Sequence, residues 1–346
     1  MKLINVEVLY KGVFNIRFAD FFAGIGGFRL GLEAIGGECI FSCEIDEFAI
    51  QTYEANFDKI SFKDITEVKG DLLKEIPPYD LFVAGFPCQP FSVCGRKEGF
   101  MDETRGTLFF DILRVLDATK PQAILLENVA YLVHHDKKRT FRIIKESLEK
   151  LGYKLFYKVL NSKDYNIPQN RERIFIVGFL NHSVDFKFPV AENMGIKTVD
   201  ILENRSDFIY LDKSKYTLID NPKVSPNGMK FVGYLNKNIR KRGIREGTLH
   251  LSRVHKQPNR IYDANYIHPC LCAGESSGRY HILTEHGVRK LTLLECFRLQ
   301  GFPDEFKKIV STTQLYKQIG NSVSVPVISA IGKEIKFNLM KLKSVV

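Results

Sequence analysis

The chain has 346 residues, 45% of them hydrophobic and 26% charged, enough apolar material for a large core and too much for a disordered chain. Its formal net charge of +10 favours a polyanionic partner, because clustered Lys and Arg gain affinity by displacing condensed counterions from phosphates. No apolar run approaches the roughly 18 residues of a spanning helix, and Met1 to Arg17 lack a cleavage pattern, so a cytoplasmic chain with no membrane contact is expected.

From Arg17 to about Phe179, short β-rich runs alternate with amphipathic helical stretches, the pattern of a parallel sheet covered by helices. The first strand is predicted over Phe18 to Phe22 and runs into Gly24-Ile-Gly26-Gly27, ahead of a helical stretch beginning near Phe28. Glycines there let the backbone approach a ligand closely and adopt positive φ. A second strand, Glu38 to Cys43, ends at Glu44, 20 residues beyond Gly24, where a doubly wound fold presents a carboxylate to a ribose hydroxyl. Arg29 stands where a dinucleotide fingerprint wants Gly or Ala, so a nucleoside without phosphates fits this turn better than a nicotinamide dinucleotide.

The strand Leu81 to Ala84 leads into Gly85-Phe86-Pro87-Cys88-Gln89-Pro90-Phe91-Ser92, which sets Cys88 just past a strand's carboxyl end, where open α/β sheets bind ligands. An inert buried thiol is the usual fate of a free cysteine. The two flanking prolines, however, stiffen this loop as a positioned nucleophile requires. Phe91 to Arg105, rich in Gly, Arg and Lys, reads as a mobile lid. A helix over Phe110 to Leu116 and a very apolar strand, Ala123 to Leu126, bring Glu127-Asn128-Val129 to the same rim. A thiol and a carboxyl there could add to an electron-poor carbon and neutralise the charge that addition creates. A helix over Phe141 to Leu151 and a strand over Ile174 to Gly178 complete this region.

Near Pro189 the periodicity fades and a domain boundary is predicted. Lys213 to Arg260 holds twelve Lys or Arg against two acids, Asp220 and Glu246, although such a run is often only a solvated face. The seven cysteines, an odd number, read as reduced thiols; Cys270-Leu-Cys272, with His268 nearby, lacks a second ligand pair, so no metal is expected. Core-forming patterns return over Leu291 to Leu299 and Val323 to Leu339.

Six ordered blocks resemble the cytosine-5 DNA methyltransferases of bacterial restriction-modification systems: Phe18 to Gly27, Pro87-Cys88-Gln89, Glu127-Asn128-Val129, Gln169 to Arg173, Arg289 to Asp304, and Gln318 to Val323. The resemblance implies an α/β fold with a doubly wound mixed sheet, formed by 1–189 and completed by 316–346, and a smaller target-recognition domain with hinge over 190–315. It implies S-adenosylmethionine as cofactor, held by Phe22, Gly24, Gly26, Gly27, Glu44, Ile45, Asp64, Ile65, Asn321, Ser322 and Val323. Catalysis falls to Cys88, Glu127, Arg171 and Arg173, and contacts to the substrate to Pro87, Gln89, Ser92 and Arg105. The substrate is double-stranded DNA with its target base flipped out, and the enzyme is a monomer. Two residues depart from the family's pattern: Ile45 replaces an aromatic that often covers the adenine, and Cys94 replaces a small hydroxyl residue. An RNA cytosine-5 methyltransferase and an inactive DNA-binding paralogue are the alternatives.

Overall fold

The computed structural model describes residues 15–87, 108–192, 194–237, 245 and 247–344. Its main sheet comprises β1 (Ile16–Phe21), β2 (Gly37–Cys43), β3 (Leu81–Gly85), β4 (Ala123–Val129), β5 (Lys154–Asn161) and, after the two-residue β6 (Gln169–Asn170), β7 (Glu172–Phe179). The spatial order is β2-β1-β3-β4-β7-β5. Strands β1 to β4 pair in parallel, whereas β7 is antiparallel to both β4 and β5. The sheet is thus mixed, as the family resemblance implies, and not the wholly parallel one that strand–helix alternation alone suggests. The connection between β5 and β7 holds only a single 3-10 turn, Ser162–Asp164, and the two-residue β6, and is too short for a parallel crossover, which takes a dozen or more residues.

The helices in chain order are α1 (Gly27–Glu33), α2 (Glu47–Asn56), α3 (Leu72–Glu75), α4 (Leu108–Thr119), α5 (Arg139–Lys150), α6 (Leu293–Arg298), α7 (Thr312–Asn321) and α8 (Val325–Ser344). Side chains of a strand point alternately to opposite faces, and both faces of this sheet are apolar. Phe21, Phe82, Leu126 and Ile176 pack against Ile112 of α4 and Ile144 of α5. On the opposite face, Phe18, Val83, Leu125 and Val177 pack with Leu32 of α1 and Ile328, Ile331 and Ile335 of α8. Gly31 allows the close approach of α1 and α8, since a Cβ there would lie 2.7 Å from Ile328 and 2.9 Å from the Val325 carbonyl. The chain's last helix thus covers the sheet that its first strand begins.

A second sheet, β13-β12-β10-β9-β8, is built from β8 (Tyr216–Leu218), β9 (Phe231–Leu235), β10 (Arg260–Asp263), β12 (His281–Thr284) and β13 (Gly287–Lys290). The remaining strand, β11 (His268–Pro269), pairs with β6. A separate apolar cluster joins Ile25 and Ala49 to Leu271, Phe297, Leu315 and Val325, tying the segments after β11 to the glycine-turn end of the main sheet. Because β1 has β2 on one side and β3 on the other, the chain reverses its winding at the carboxyl ends of β1 and β3. A crevice opens there in doubly wound folds.

Candidate active site

The turn after β1 is shaped by backbone conformation. Phe22, Gly24 and Gly26 all have positive φ, at 58°, 57° and 84°. For glycine this costs little. For Phe22 it costs about 1–3 kcal/mol, a strain typical of ligand clamps. Glu44, at the end of β2, secures the turn: Oε2 accepts from Gly24 N at 2.8 Å, and Oε1 from Ile45 N at 2.9 Å and Asp46 N at 2.8 Å. Burial raises the Glu44 pKa, and these three N–H groups oppose the rise. A carboxylate has about four acceptor sites, so one remains for a ligand. Beneath the turn, Asp20 of β1 is fully buried, and among the described residues neither of its oxygens has a hydrogen-bond partner; burial pushes its pKa well up and favours the neutral acid.

A cavity of about 510 Å³ opens above the turn, a size ordinary for small-molecule sites. Phe22, Gly24, Gly27, Glu44 and Ile45 line one side, and Asn321, Ser322 and Val323, between α7 and α8, line the other. Ile45 is 60% exposed at this lining, an apolar surface open to a ligand. Three expected residues do not line the cavity. Gly26 caps α1 beside the Phe57 ring, Asp64 accepts from Thr66 N at 2.9 Å, and Ile65 is buried in the core.

The structure adds Asp46, Lys317 and Gln318, which the sequence reading gave no role. Asp46 caps α2 and pairs with Lys317 Nζ at 2.8 Å, and Gln318 meets the Thr52 hydroxyl at 3.0 Å, so two contacts hold α7 against α2. Nothing in the spacing of Asp46 and Lys317 along the chain announces that pair; only the turn signal of an Asp just before a helix was available.

Gly320 fixes how closely α7 approaches the segment after β11. A Cβ there would lie 2.4 Å from Ala273 N and 2.5 Å from the Cys272 carbonyl carbon, both backbone atoms. Gly320→Ala is expected to cost about 1–3 kcal/mol of stability and to weaken cofactor binding, because the displaced turn carries Asn321 to Val323. Denaturant midpoints and cofactor titration measure both, and parent-like values would refute this account of Gly320.

Glu127 lies inside β4 rather than after it, with Gly85 as its register partner on β3. It is 8% exposed, and Arg173 Nε lies 3.0 Å from its Oε1. Burial raises the Glu127 pKa, against the pull of Arg173 and Arg171. Asn128, part of the Glu127-Asn128-Val129 block but given no role by the sequence, donates from Nδ2 to the Phe86 carbonyl at 2.9 Å and so ties the start of the Pro87 loop to β4. Pro87, Glu127, Arg171 and Arg173 share the cavity with the glycine turn. Among the described residues Arg171 forms no ion pair; its guanidinium goes to carbonyl groups and to Cys270 Sγ. Cys88, Gln89, Ser92, Cys94, Arg105 and the lid segment lie outside the described residues.

Fold and site together define a doubly wound α/β enzyme whose cavity suits a nucleoside at a glycine turn beside a buried acid–arginine pair. The sequence profile described as C-5 cytosine-specific DNA methylase matches residues 16–337, and the chain belongs to that family. The Type II methyltransferase M.NlaX of Neisseria lactamica is 44% identical over 326 residues, covering 92% of this chain and 96% of that protein. M.NgoBI of Neisseria gonorrhoeae is 43% identical over 314 residues, 91% of each chain. The fold also matches the crystal structure of S. pombe Dnmt2 methyltransferase, with a TM-score of 0.67 and 21% identity over 95% of this chain and 99% of that one. The protein is a DNA (cytosine-5)-methyltransferase, and the alternatives of an RNA enzyme and an inactive paralogue fall away.

Proposed function

We propose that the chain acts as a cytoplasmic monomer on a short recognition sequence in double-stranded DNA, as the modification enzyme of a restriction-modification system, with S-adenosylmethionine as methyl donor. The observation that carries this reading is the buried Glu127–Arg173 pair on the wall of the cavity that the glycine turn enters. Support for duplex DNA comes from the basic run between Lys213 and Arg260 and from the names of the Type II relatives. The proposed division is a catalytic unit of 1–189 with 316–346 and a target-recognition unit of 190–315.

The lining suits the donor. Glu44 keeps an acceptor site for a ribose hydroxyl, Ile45 and Phe22 offer apolar surface to a base, and Lys317 in the lining is paired with Asp46. When bound, S-adenosylmethionine supplies an electrophilic methyl group on a sulfonium.

The chain's residues then have these roles. Cys88 adds as thiolate to carbon 6 of a cytosine swung out of the duplex, at a cost of a few kcal/mol for unstacking. Glu127, whose pKa burial raises against the pull of Arg173, donates in its protonated form to ring nitrogen 3 and accepts from the exocyclic amine. Arg173 fixes the Glu127 carboxyl and adds positive potential that favours thiolate at Cys88. The carbon-5 proton leaves to a base, and Cys88 departs with the electron pair of its carbon–sulfur bond. Bisulfite sequencing of plasmid DNA from a host expressing the chain is expected to show 5-methylcytosine at one position of one short sequence. Unmethylated DNA, or methylation without sequence preference, would overturn the proposal.

A further inference from the structure

One buried guanidinium joins two stretches of chain that have different tasks. Arg171, between β6 and β7, is 2% exposed. One arm, Nη1, donates to the Leu271 carbonyl at 3.1 Å and to Cys270 Sγ at 3.3 Å, in the segment that leaves β11. The other arm, Nη2, donates to the carbonyls of Gly320 at 3.1 Å and Ser322 at 2.6 Å, in the turn that walls the cofactor cavity.

The neighbouring side chain acts in the same sense. Gln169 accepts from Leu271 N at 2.9 Å and donates to the Leu299 carbonyl at 2.5 Å, and β6 pairs with β11 through Gln169↔His268. Glu127, the acid whose charge reaches Arg171, is bonded instead to Arg173. Arg171 therefore faces backbone carbonyls and a thiol, and it spans them with a rigid planar fork. A fork of fixed geometry cannot follow one pair of acceptors without leaving the other. The segment on its first arm leads into β12 of the second sheet, which pairs with β10 on one side and β13 on the other, while the segment on its other arm holds Asn321 to Val323.

We propose that Arg171 is a positioning residue that couples the two ligands: an ordered cofactor wall and a DNA-loaded second sheet each favour the same setting of the Arg171 fork, so each ligand tightens the other. The inference rests on the reading that the second sheet grips DNA. Linkage requires the two effects to be equal.

The test is a thermodynamic cycle on the full chain, using S-adenosylhomocysteine as an unreactive cofactor ligand and a duplex carrying the sequence mapped by bisulfite. In the parent protein each ligand is expected to tighten the other by the same factor, on the order of 5- to 100-fold. Arg171→Lys, which keeps the charge and removes the fork, should bring that factor below about twofold. Cys270→Ala, a smaller change at the same arm, should lower it at least about twofold and serves if the lysine variant does not fold. An unchanged factor in the folded variants, or no coupling in the parent, overturns the proposal. Lys215→Glu with Lys237→Glu tests the underlying reading separately. These exposed side chains should weaken DNA binding while leaving the coupling factor intact, and unchanged DNA affinity would remove the second sheet as the DNA grip.

Discussion

Methyl transfer is expected to fall at least about 1,000-fold when Cys88 becomes Ser, while S-adenosylhomocysteine binds as tightly as to the parent. Carbon 5 of cytosine is too weak a nucleophile to take a methyl group until addition at carbon 6 turns the ring into an enamine. A free thiol titrates near 8.5, so a few per cent is already thiolate at neutral pH. A serine hydroxyl ionises far less readily, and the sequence places no histidine beside it to act as a base. The Asn128 contact to the Phe86 carbonyl fixes the chain two residues before Cys88, so the substitution alters the reacting atom and leaves its support in place.

Transfer of a labelled methyl group to DNA measures the loss. A duplex with 5-fluorocytosine at the target gives a second readout, since fluorine cannot leave carbon 5 as a proton does and the adduct with sulfur persists. The parent should be trapped in a denaturant-stable complex and the variant should not. A serine variant that retained a tenth of the parent's rate would remove Cys88 as nucleophile.

The parts of this molecule that could be read in advance are those whose sequence pattern has a local cause. The β1, β2, β3 and β4 runs are short, apolar and followed by turn residues, and each appears within a few residues of its predicted place. Strand β5 was not foreseen because it is an edge strand: Tyr157 and Val159 are half exposed, Lys158 breaks the apolar run, and only β7 pairs with it. Strand direction was equally unreadable, because β7 has the composition of a buried parallel strand and only its pairing with β4 reveals its sense.

The second sheet failed for a related reason. Its strands are three to five residues long, too short for a period to emerge, and the parallel β10–β12 pair is made across an intervening excursion to β6. At the site, residues in contiguous motifs were found, whereas the Asp46–Lys317 pair spans almost the whole chain. Arg171 and Arg173 looked equivalent in sequence and differ in structure, because their positions at and before the start of β7 point one to carbonyls and the other to Glu127.

Glu127→Gln is expected to slow the chemical step by about 100- to 10,000-fold, the range of general acid catalysis, with a much smaller effect on DNA affinity. The amide keeps the shape of the carboxyl and can still donate a hydrogen bond, but it cannot transfer a proton to ring nitrogen 3. The pH dependence separates this role from a structural one. Burial raises the Glu127 pKa despite Arg173, so the protonated carboxyl persists to higher pH than in an exposed glutamate. Activity that needs this proton declines as pH rises through the raised pKa, while the thiolate fraction of Cys88 grows in the same direction. The parent's kcat/KM profile should therefore turn over on its alkaline side, whereas the Gln variant, with no carboxyl to lose its proton, should lack the turnover and follow the thiol alone. Single-turnover rates across pH provide the measurement. A Gln variant with parent-like turnover, or one that keeps the parent's alkaline decline, would show that some other group supplies the proton.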